Sequence, residues 1–427
     1  MTYRNRELAN LVVVAIITGL GFASVYIARQ DVVSTGSLSY ALFFFALYVT
    51  AHVIARLTVP QADPYLLPMA ALLTAVGVTE IYRLNPDNAF RQGLWIVVGV
   101  VAFAATLLGL RHDYRRLESY KYLFGLTAIG LLVLPALPLL GKTVNGAHLW
   151  VGVGSFQFQP GELAKVMLIV FLAGYLREKR EVLAQGRLKE LGPLLAIWGG
   201  AMLVLVQTND LGGSLLYFGI FLSMLYVATA RLTFVAGGAA LFVAGAAVVY
   251  HFISRVQDRV HIWLDPWSDA HGNGYQPIQA LYSIANGHFG GTGLGKGTFT
   301  TTAGIHLIPD VSSDFIYAAL AQELGLVGVA AFLLVFMLFC LRGFRIALIA
   351  QDGFSKLLAV GLTFGFALQA FIIVGGVLRL IPLTGITLPF VSYGGSSVVA
   401  NFILLAGLLL VSHRANSIAQ IPMEGRP

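Results

Sequence analysis

Residues 211–252 read LGGSLLYFGIFLSMLYVATARLTFVAGGAALFVAGAAVVYHF, two apolar runs separated by a single charged residue, Arg231. An α-helix needs about 20 mostly apolar residues to cross roughly 30 Å of hydrocarbon. Both runs are of this length, so the segment predicts two consecutive membrane-spanning helices. The whole chain has a matching composition, because 57% of its 427 residues are apolar and 11% are charged, whereas a soluble domain carries about 25% charged residues.

Apolar runs of similar length recur along the chain and predict an all-α, polytopic integral membrane protein with about twelve transmembrane helices. They lie near residues 9–28, 38–58, 65–83, 93–110, 119–140, 160–177, 191–208, 211–230, 233–252, 315–341, 356–378 and 389–412. Only Thr208, Asn209 and Asp210 separate the runs near 191–208 and 211–230. Counts of ten or eleven spans therefore stay open.

Lys and Arg residues cluster between alternate runs, which indicates the orientation because cytoplasmic loops retain cations. When twelve spans are threaded alternately, the clusters fall on one side, and this predicts that both termini are cytoplasmic. The net charge of +7 is accordingly a topology signal rather than a nucleic-acid-binding surface. The clusters contain Arg4, Arg6, Arg111, Arg115, Arg116, Lys121, Arg177, Lys179, Arg180, Arg187, Lys189, Arg342, Arg345, Lys356 and Arg414.

Three segments on the opposite side are rich in polar residues, and the chemistry is expected there. They cover residues 141–160, 254–314 and 379–397. The second is a large extracytoplasmic loop without a spanning run, and loops of such length are usually functional. It carries Trp263 and Trp267, which suit a membrane–water interface.

Several separated motifs lie in and around this loop. They read FQPGELAK (158–165), GYQPIQ (274–279), GGTGLGKG (290–297), SDFI (313–316) and PLTGITLPFVSYGGSS (382–397). Together and in this order, between about Asp63 and about His413, they resemble the SEDS family of RodA, FtsW and SpoVE.

The resemblance implies a ten-helix catalytic core in residues 63–413, with two extra helices in residues 1–62 and a cytoplasmic tail in residues 414–427. It implies a peptidoglycan glycosyltransferase that polymerises lipid II at the outer face of the bacterial cytoplasmic membrane and releases undecaprenyl pyrophosphate. The implied partners are lipid II, the nascent glycan strand, membrane lipid and a crosslinking class B penicillin-binding protein. The elongation, division and sporulation branches share these motifs, so the role in the cell stays open.

Asp314 is the catalytic residue that the resemblance implies, because the family's essential carboxylate lies in the motif that reads SDF here. In glycan extension, a sugar hydroxyl attacks an anomeric carbon whose leaving group is a lipid pyrophosphate. A carboxylate within hydrogen-bond reach of that hydroxyl can take its proton. The alternative is that Asp314 only caps the helix that follows, since Asp is a preferred N-cap residue.

Three further ionisable residues fall within predicted spans. Glu162 and Lys165 are three residues apart and so share a helix face. Ions at that depth are costly and mark functional sites, which predicts that the pair shapes a polar cavity beside Asp314; a structural tie between two helices is the alternative. Glu323 follows Asp314 in the same predicted helix, and both a buried hydrogen bond and a catalytic role stay open for it.

Anion-binding groups are expected on the outer side because the leaving group is a pyrophosphate. Arg259, Lys296 and Arg379 are candidates to neutralise its charge. The glycine-rich residues 287–297 form either a flexible loop or a nest of backbone N–H groups for an anionic headgroup. They do not predict nucleotide binding, since Gly297 stands where a P-loop has Ser or Thr and no strand precedes it.

The sequence also bears on cofactors. No His-x-x-x-His spacing occurs, which argues against catalytic zinc. The single cysteine, Cys340, excludes a thiolate metal cluster and a disulfide framework. A divalent cation, Mg²⁺ or Mn²⁺, between the pyrophosphate and Asp314 fits the chemistry, because such ions neutralise developing leaving-group charge.

The chain departs from the family pattern at some positions. Leu149 precedes Trp150 where the family has Arg, so a contact made by that Arg is absent or comes from His148 or Lys142. Gln322 replaces the first acid of a Glu-Glu-Leu-Gly motif. Two competing interpretations stay open: a transporter that flips lipid II across the bilayer through the same polar cavity, and a scaffold that only recruits a crosslinking partner.

Overall fold

The computed structural model describes residues 2–30, 35–138, 140–144, 147–153, 156–185, 188–299 and 307–419. Of the sequence features above, Arg187 and residues 420–427 of the tail lie outside this part. The described chain forms a helical bundle with one small sheet. The helices are α1 (Tyr3–Gln30), α2 (Thr35–Thr58), α3 (Leu66–Leu84), α4 (Pro86–Leu110), α5 (Arg116–Ser119), α6 (Lys121–Val133), α7 (Pro160–Ala184), α8 (Gly192–Gln207), α9 (Leu211–Thr229), α10 (Leu232–Phe252), α11 (Ser254–Leu264), α12 (Tyr275–Asn286), α13 (Ile316–Ile349), α14 (Gly353–Val377) and α15 (Gly395–Ala419).

Twelve of these helices coincide with the twelve apolar runs, and the prediction of an all-α polytopic membrane protein is confirmed. Within the described residues, nine helices are long and apolar enough to cross a membrane. Of the other three, α6 and α8 are shorter, with 13 and 16 residues. Helix α7 has sufficient length but carries Glu162 and Lys165 in its first two turns.

The junction of α8 and α9 is a tight reversal, as the short spacing between the two runs predicts. Asn209 adopts a left-handed conformation with φ 61°, and Asp210 caps α9 by accepting a hydrogen bond from the Gly213 N–H at 2.7 Å. An Asp at the N-cap satisfies one of the free N–H groups of a helix start. The two runs are therefore separate helices.

Residues 141–158 contain a feature that the hydropathy pattern did not predict. They form a three-stranded antiparallel sheet of β1 (Gly141–Val144), β2 (Ala147–Val153) and β3 (Phe156–Phe158) in the order β1-β2-β3. Lys142 pairs with Trp150 and Val151 pairs with Phe158. These strands have 4, 7 and 3 residues, too few for a period-2 pattern to stand out from the surrounding apolar sequence.

The extra N-terminal helices lie along the whole height of the bundle. At one end of α1, the Arg4 guanidinium donates to the backbone carbonyl of Ala62. Near the other end, Phe22 is fully buried and stacks on Tyr40 of α2 with ring centroids 5.6 Å apart. Helix α1 also reaches the glycine loop, residues 287–297, since a Cβ on Gly295 would lie 2.6 Å from the Ala28 Cβ.

The loop between α14 and α15, residues 378–394, packs into the bundle instead of lying on its surface. Gly77 of α3 makes this possible, because a Cβ there would lie 2.4 Å from the carbonyl oxygen of Val391. Gln92 of α4 supplies partners for the irregular backbone: its amide donates to the Ser392 carbonyl at 3.2 Å and accepts from the Gly394 N–H at 3.1 Å. Non-helical backbone at membrane depth is tolerated only where protein satisfies it in this way.

We expect Gly77→Ala to displace the 378–394 loop and to destabilise the protein by about 1–3 kcal/mol, since a methyl group there overlaps backbone that cannot move aside. The measurement is thermal unfolding in detergent. Gly109→Ala in α4 is the matched control, because nothing lies within 4 Å of its added Cβ. Equal melting temperatures for the two variants would contradict the assigned packing.

Candidate active site

Asp314 lies in the turn that leads into α13, and the 378–394 loop holds that turn. The Ser392 hydroxyl donates to the Ser313 carbonyl at 2.6 Å, and the Tyr393 N–H donates to the Ser312 carbonyl at 2.9 Å. The N-cap position of α13 belongs to Phe315, and no side chain caps this helix. The interpretation of Asp314 as a capping residue is therefore wrong, and its carboxylate is available for other contacts.

The surroundings of the Asp314 carboxylate favour its protonated form at mildly acid pH. Burial raises the pKa of Asp314 to about 6; Asp310 adds to the rise, while Arg259 and the Ser313 side chain oppose it. The backbone of Gly385 lies alongside, since a Cβ there would be 3.4 Å from Asp314 Oδ2. Gly385 has φ 73°, a left-handed conformation that glycine adopts without strain.

Arg259 of α11 brings a positive charge to Asp314, and its predicted role in neutralising a pyrophosphate stays a prediction. Its guanidinium donates to the Thr384 carbonyl at 3.3 Å and interacts electrostatically with both Asp314 and Asp210. Asp210 precedes α9, and burial raises its pKa to about 6, with Glu162 adding to the rise and Arg259 opposing it. In the sequence, Asp210 stands in the short segment between two apolar runs, three residues before Gly213. This position does not indicate that it interacts with Glu162 and Arg259.

Lys165 and Glu162 form the expected ion pair, 2.8 Å apart, and Lys165 is 2% exposed. The Lys165 ammonium also donates to Gln369 Oε1 of α14 at 2.6 Å, and Gln369 Nε2 donates to the Thr387 carbonyl at 2.9 Å. The pair therefore ties α7 to α14 and to the 378–394 loop. Glu162 interacts electrostatically with Asp210, which in turn interacts with Arg259, whereas the predicted polar cavity beside Asp314 stays a prediction.

The glycine loop forms a nest of backbone N–H groups, and the anion in it is an internal carboxylate. The N–H groups of Gly295 and Gly297 donate to the two oxygens of Glu323 at 2.7 and 3.0 Å. Arg83 of α3 adds an ion pair to Glu323 at 2.7 Å. Of the two roles left open for Glu323, the contacts are those of a buried hydrogen-bonding group, which anchors the loop to α13.

A second acid lies beside this nest and went unnoticed in the sequence. Glu80 of α3 is 1% exposed and interacts with both Glu323 and Arg83. Two buried carboxyl groups thus share one guanidinium. In the sequence, Glu80 stands inside an apolar run, three residues before Arg83, and an ionisable residue in a span is the signal that could have indicated it.

The two remaining candidate cations are placed differently. Arg379 donates to the backbone carbonyls of Trp263 and Leu264 at 2.7 and 3.0 Å and lies 5.4 Å from the Trp267 ring. It holds the 378–394 loop against the C-terminal end of α11. Lys296 is exposed on the glycine loop, and none of the interactions described for Asp314 involves Lys296, Arg379 or Glu323.

The described residues hold no group of three or more His, Cys, Asp or Glu side chains that could bind a metal ion. Near Asp314, the only second carboxylate that acts on it among these residues is Asp310. Two carboxylates leave most of the six oxygen ligands of Mg²⁺ to water and phosphate oxygens. A divalent cation at Asp314 would thus depend on the pyrophosphate of a bound substrate.

Comparison with known proteins agrees with this architecture. A family model for FtsW, RodA and SpoVE, described as cell cycle protein, matches residues 55–417. Peptidoglycan glycosyltransferase RodA of Mycobacterium tuberculosis is 42% identical over 447 residues, which covers 100% of this chain and 93% of the relative. Stage V sporulation protein E of Bacillus subtilis is 35% identical over 362 residues, covering 82% of this chain and 96% of the relative.

A solved structure is also similar. It is a chain of a peptidoglycan synthase complex that coordinates polymerization and crosslinking, with a TM-score of 0.70 and 28% identity. The similarity covers 83% of this chain and 98% of the other. The helical arrangement described above is therefore shared with a protein of that complex.

We expect Glu323→Ala to lower the free energy of unfolding by about 3–5 kcal/mol, because it removes the ion pair with Arg83 and leaves the N–H groups of Gly295 and Gly297 without their acceptor. Thermal unfolding in detergent measures the loss. Lys296→Ala, an exposed change in the same loop, should stay within about 0.5 kcal/mol of the parent protein. A Glu323→Ala variant as stable as Lys296→Ala would show that the nest does not hold the loop.

Proposed function

The chain belongs to the FtsW/RodA/SpoVE family, and on that premise we propose that it is a peptidoglycan glycosyltransferase that polymerises lipid II into glycan strands. A relative that covers its whole length is named peptidoglycan glycosyltransferase RodA. The observation that carries the proposal is the Asp314 carboxyl, partly buried in a turn at the end of a spanning helix, with Arg259 close by. In the proposal, this end of the helix lies at the membrane surface, where a lipid-linked sugar presents its pyrophosphate.

In the proposed reaction, Asp314 acts as the general base. The acceptor hydroxyl forms a C–O bond to the anomeric carbon of the donor, the bond from that carbon to the pyrophosphate oxygen breaks, and the hydroxyl proton passes to Asp314. Undecaprenyl pyrophosphate leaves. Arg259 is assigned to the charge that develops on the leaving group, because its guanidinium is the described cation that interacts with Asp314.

Glu162 and Lys165 are assigned a positioning role. Lys165 donates hydrogen bonds to Glu162 and Gln369. It therefore holds α7, α14 and the 378–394 loop in place relative to one another. A divalent cation, Mg²⁺ or Mn²⁺, would add further neutralisation of the leaving group when it is bound between Asp314 and the pyrophosphate.

The proposal places the reaction at the outer face of the bacterial cytoplasmic membrane, with both termini in the cytoplasm. Asp314 and the glycine loop lie at one end of α13, whereas Arg342, near its other end, pairs with Asp63 at 3.3 Å. The end that holds Arg342 also carries the Lys and Arg clusters, which cytoplasmic loops retain. Asp314 is then on the outer side.

A class B penicillin-binding protein is the proposed partner. The similar solved chain comes from a peptidoglycan synthase complex that coordinates polymerization and crosslinking. When a polymerase releases glycan strands next to a crosslinking enzyme, the strands reach that enzyme without having to diffuse. The relative that covers the whole chain is a RodA, so a RodA-type role in cell shape is proposed over a role in division or sporulation.

Asp314→Asn should abolish strand formation from lipid II in detergent, lowering the rate by about 100- to 10,000-fold, because the amide cannot accept the proton. Gel analysis of strands made from fluorescent lipid II is the measurement. Asp258→Asn, an exposed carboxylate one residue before Arg259, is the control and should retain activity. A lipid II transporter makes no strands in detergent, where it has no bilayer to act across. If the parent protein, like Asp314→Asn, forms no strands from lipid II, the result would favour that alternative.

The rate should fall as the pH is lowered through about 6, the raised pKa of Asp314, because only the ionised carboxylate accepts a proton. Initial rates between pH 5 and pH 8 in detergent give the midpoint. Asp310→Asn removes one cause of the raised pKa and should move the midpoint to lower pH. A midpoint that stays unchanged in this variant would argue against Asp314 as the titrating base.

A further inference from the structure

A cavity of about 610 Å³ opens at the opposite end of the bundle from Asp314. It lies between the start of α1, the end of α2 and the connection to α3, and its lining includes Arg4, Arg6, Arg56, Pro60 and Gln61. Its volume falls in the range of about 300–1,000 Å³ that is usual for small-ligand sites. The proposed reaction leaves this site unexplained.

The charge of the cavity is positive because the neighbouring acids already have partners. Glu7 is shared by Arg4 and His52, whose Nδ1 lies 2.7 Å from Glu7 Oε1. Arg6 and Arg56 form no ion pair with any of the described residues; Arg56 donates to the neutral side chain of Asn5 at 3.2 Å. Two guanidinium groups at the rim are thus unneutralised by the protein.

A buried donor in the wall points to a ligand with oxygen acceptors. Arg4 is 3% exposed and lines the cavity, and its Nε–H has no hydrogen-bond partner in the described structure. Helix α1 also begins here: Asn5 N–H and Arg6 N–H donate to the Thr2 carbonyl, and the preceding N–H groups of a helix start have no intrahelical acceptor. The positive end of a helix dipole adds to the attraction for an anion.

The surface beside the cavity is apolar and exposed. Leu57, next to Arg56 in α2, is 77% exposed, and Leu8, Val12 and Ile16 of α1 are 36%, 43% and 58% exposed. These residues belong to membrane-spanning helices, so they face acyl chains. A cationic cavity above an apolar stripe is complementary to a molecule with an anionic head and hydrocarbon tails.

We propose that this cavity binds the phosphate headgroup of an anionic phospholipid from the adjacent leaflet, which the charge distribution assigns to the cytoplasmic side. Arg6 and Arg56 pair with the phosphate, the start of α1 and Arg4 line the headgroup site, and the acyl chains lie along α1 and α2. Arg4 and Arg6 precede residues 55–417, which the family model matches. The site is thus formed by the start of α1, the end of α2 and the connection to α3, and Arg56 lies just inside the matched range.

The test compares lipid retention by the full chain in detergent, measured by native mass spectrometry with phosphatidylglycerol and with phosphatidylcholine of equal chain length. The parent protein should retain phosphatidylglycerol preferentially. The double variant Arg6→Gln/Arg56→Gln should bind it roughly 25-fold more weakly, since each arginine near an anionic surface contributes about fivefold. Both side chains are exposed, so the melting temperature should not change.

The matched control is Arg180→Gln/Lys356→Gln, which removes two exposed cations from the same end of the bundle and should leave phosphatidylglycerol binding intact. An equal loss in this control would overturn the proposal in favour of general surface charge. Equal retention of phosphatidylcholine would overturn it in favour of apolar contact alone. Glycerol 3-phosphate or inorganic phosphate that displaces the lipid at equal concentration would assign the site to a free phosphate compound instead.

Discussion

The rest of this structure depends on one constraint, the free-energy cost of placing a charged side chain at the edge of the membrane's hydrocarbon core. Ionisable side chains persist at that depth when they have partners. Lys165 has Glu162 and Gln369, and Glu323 has Arg83 and two N–H groups of the glycine loop. Each set joins segments that are distant in sequence. These buried charged groups therefore fix the helices against one another.

The same constraint explains why irregular backbone lies inside the bundle. The 378–394 loop can enter because Gly77 leaves room for it and Gln92 provides hydrogen bonds to its backbone. Once there, the loop holds the turn of Asp314 through Ser392 and brings Gly385 against the carboxylate. The Asp314 carboxyl group is thereby kept in a partly buried position without a capping role in α13.

The added helices connect the two ends of the molecule. Helix α1 packs against Gly295 of the glycine loop at one end and binds the carbonyl of Ala62 through Arg4 at the other. Helix α1 thus makes an apolar contact near its C-terminal end and a charged hydrogen bond near its N-terminal end. Helix α1 therefore contacts both the glycine loop and the segment that lines the cationic cavity.

Hydropathy alone identified this chain as a polytopic helical membrane protein, because the number and length of apolar runs depend only on local composition. The motif around Asp314 led to the carboxylate that is proposed as the general base, and the spacing of Glu162 and Lys165 predicted their pairing within one helix. The sequence did not predict the short strands of residues 141–158 or the interactions of Asp210 with Glu162 and Arg259. Only the tertiary structure decided which partner each charge has: Arg83 and Glu323 meet across 240 positions of the chain, and a local pattern carries no information about such a contact.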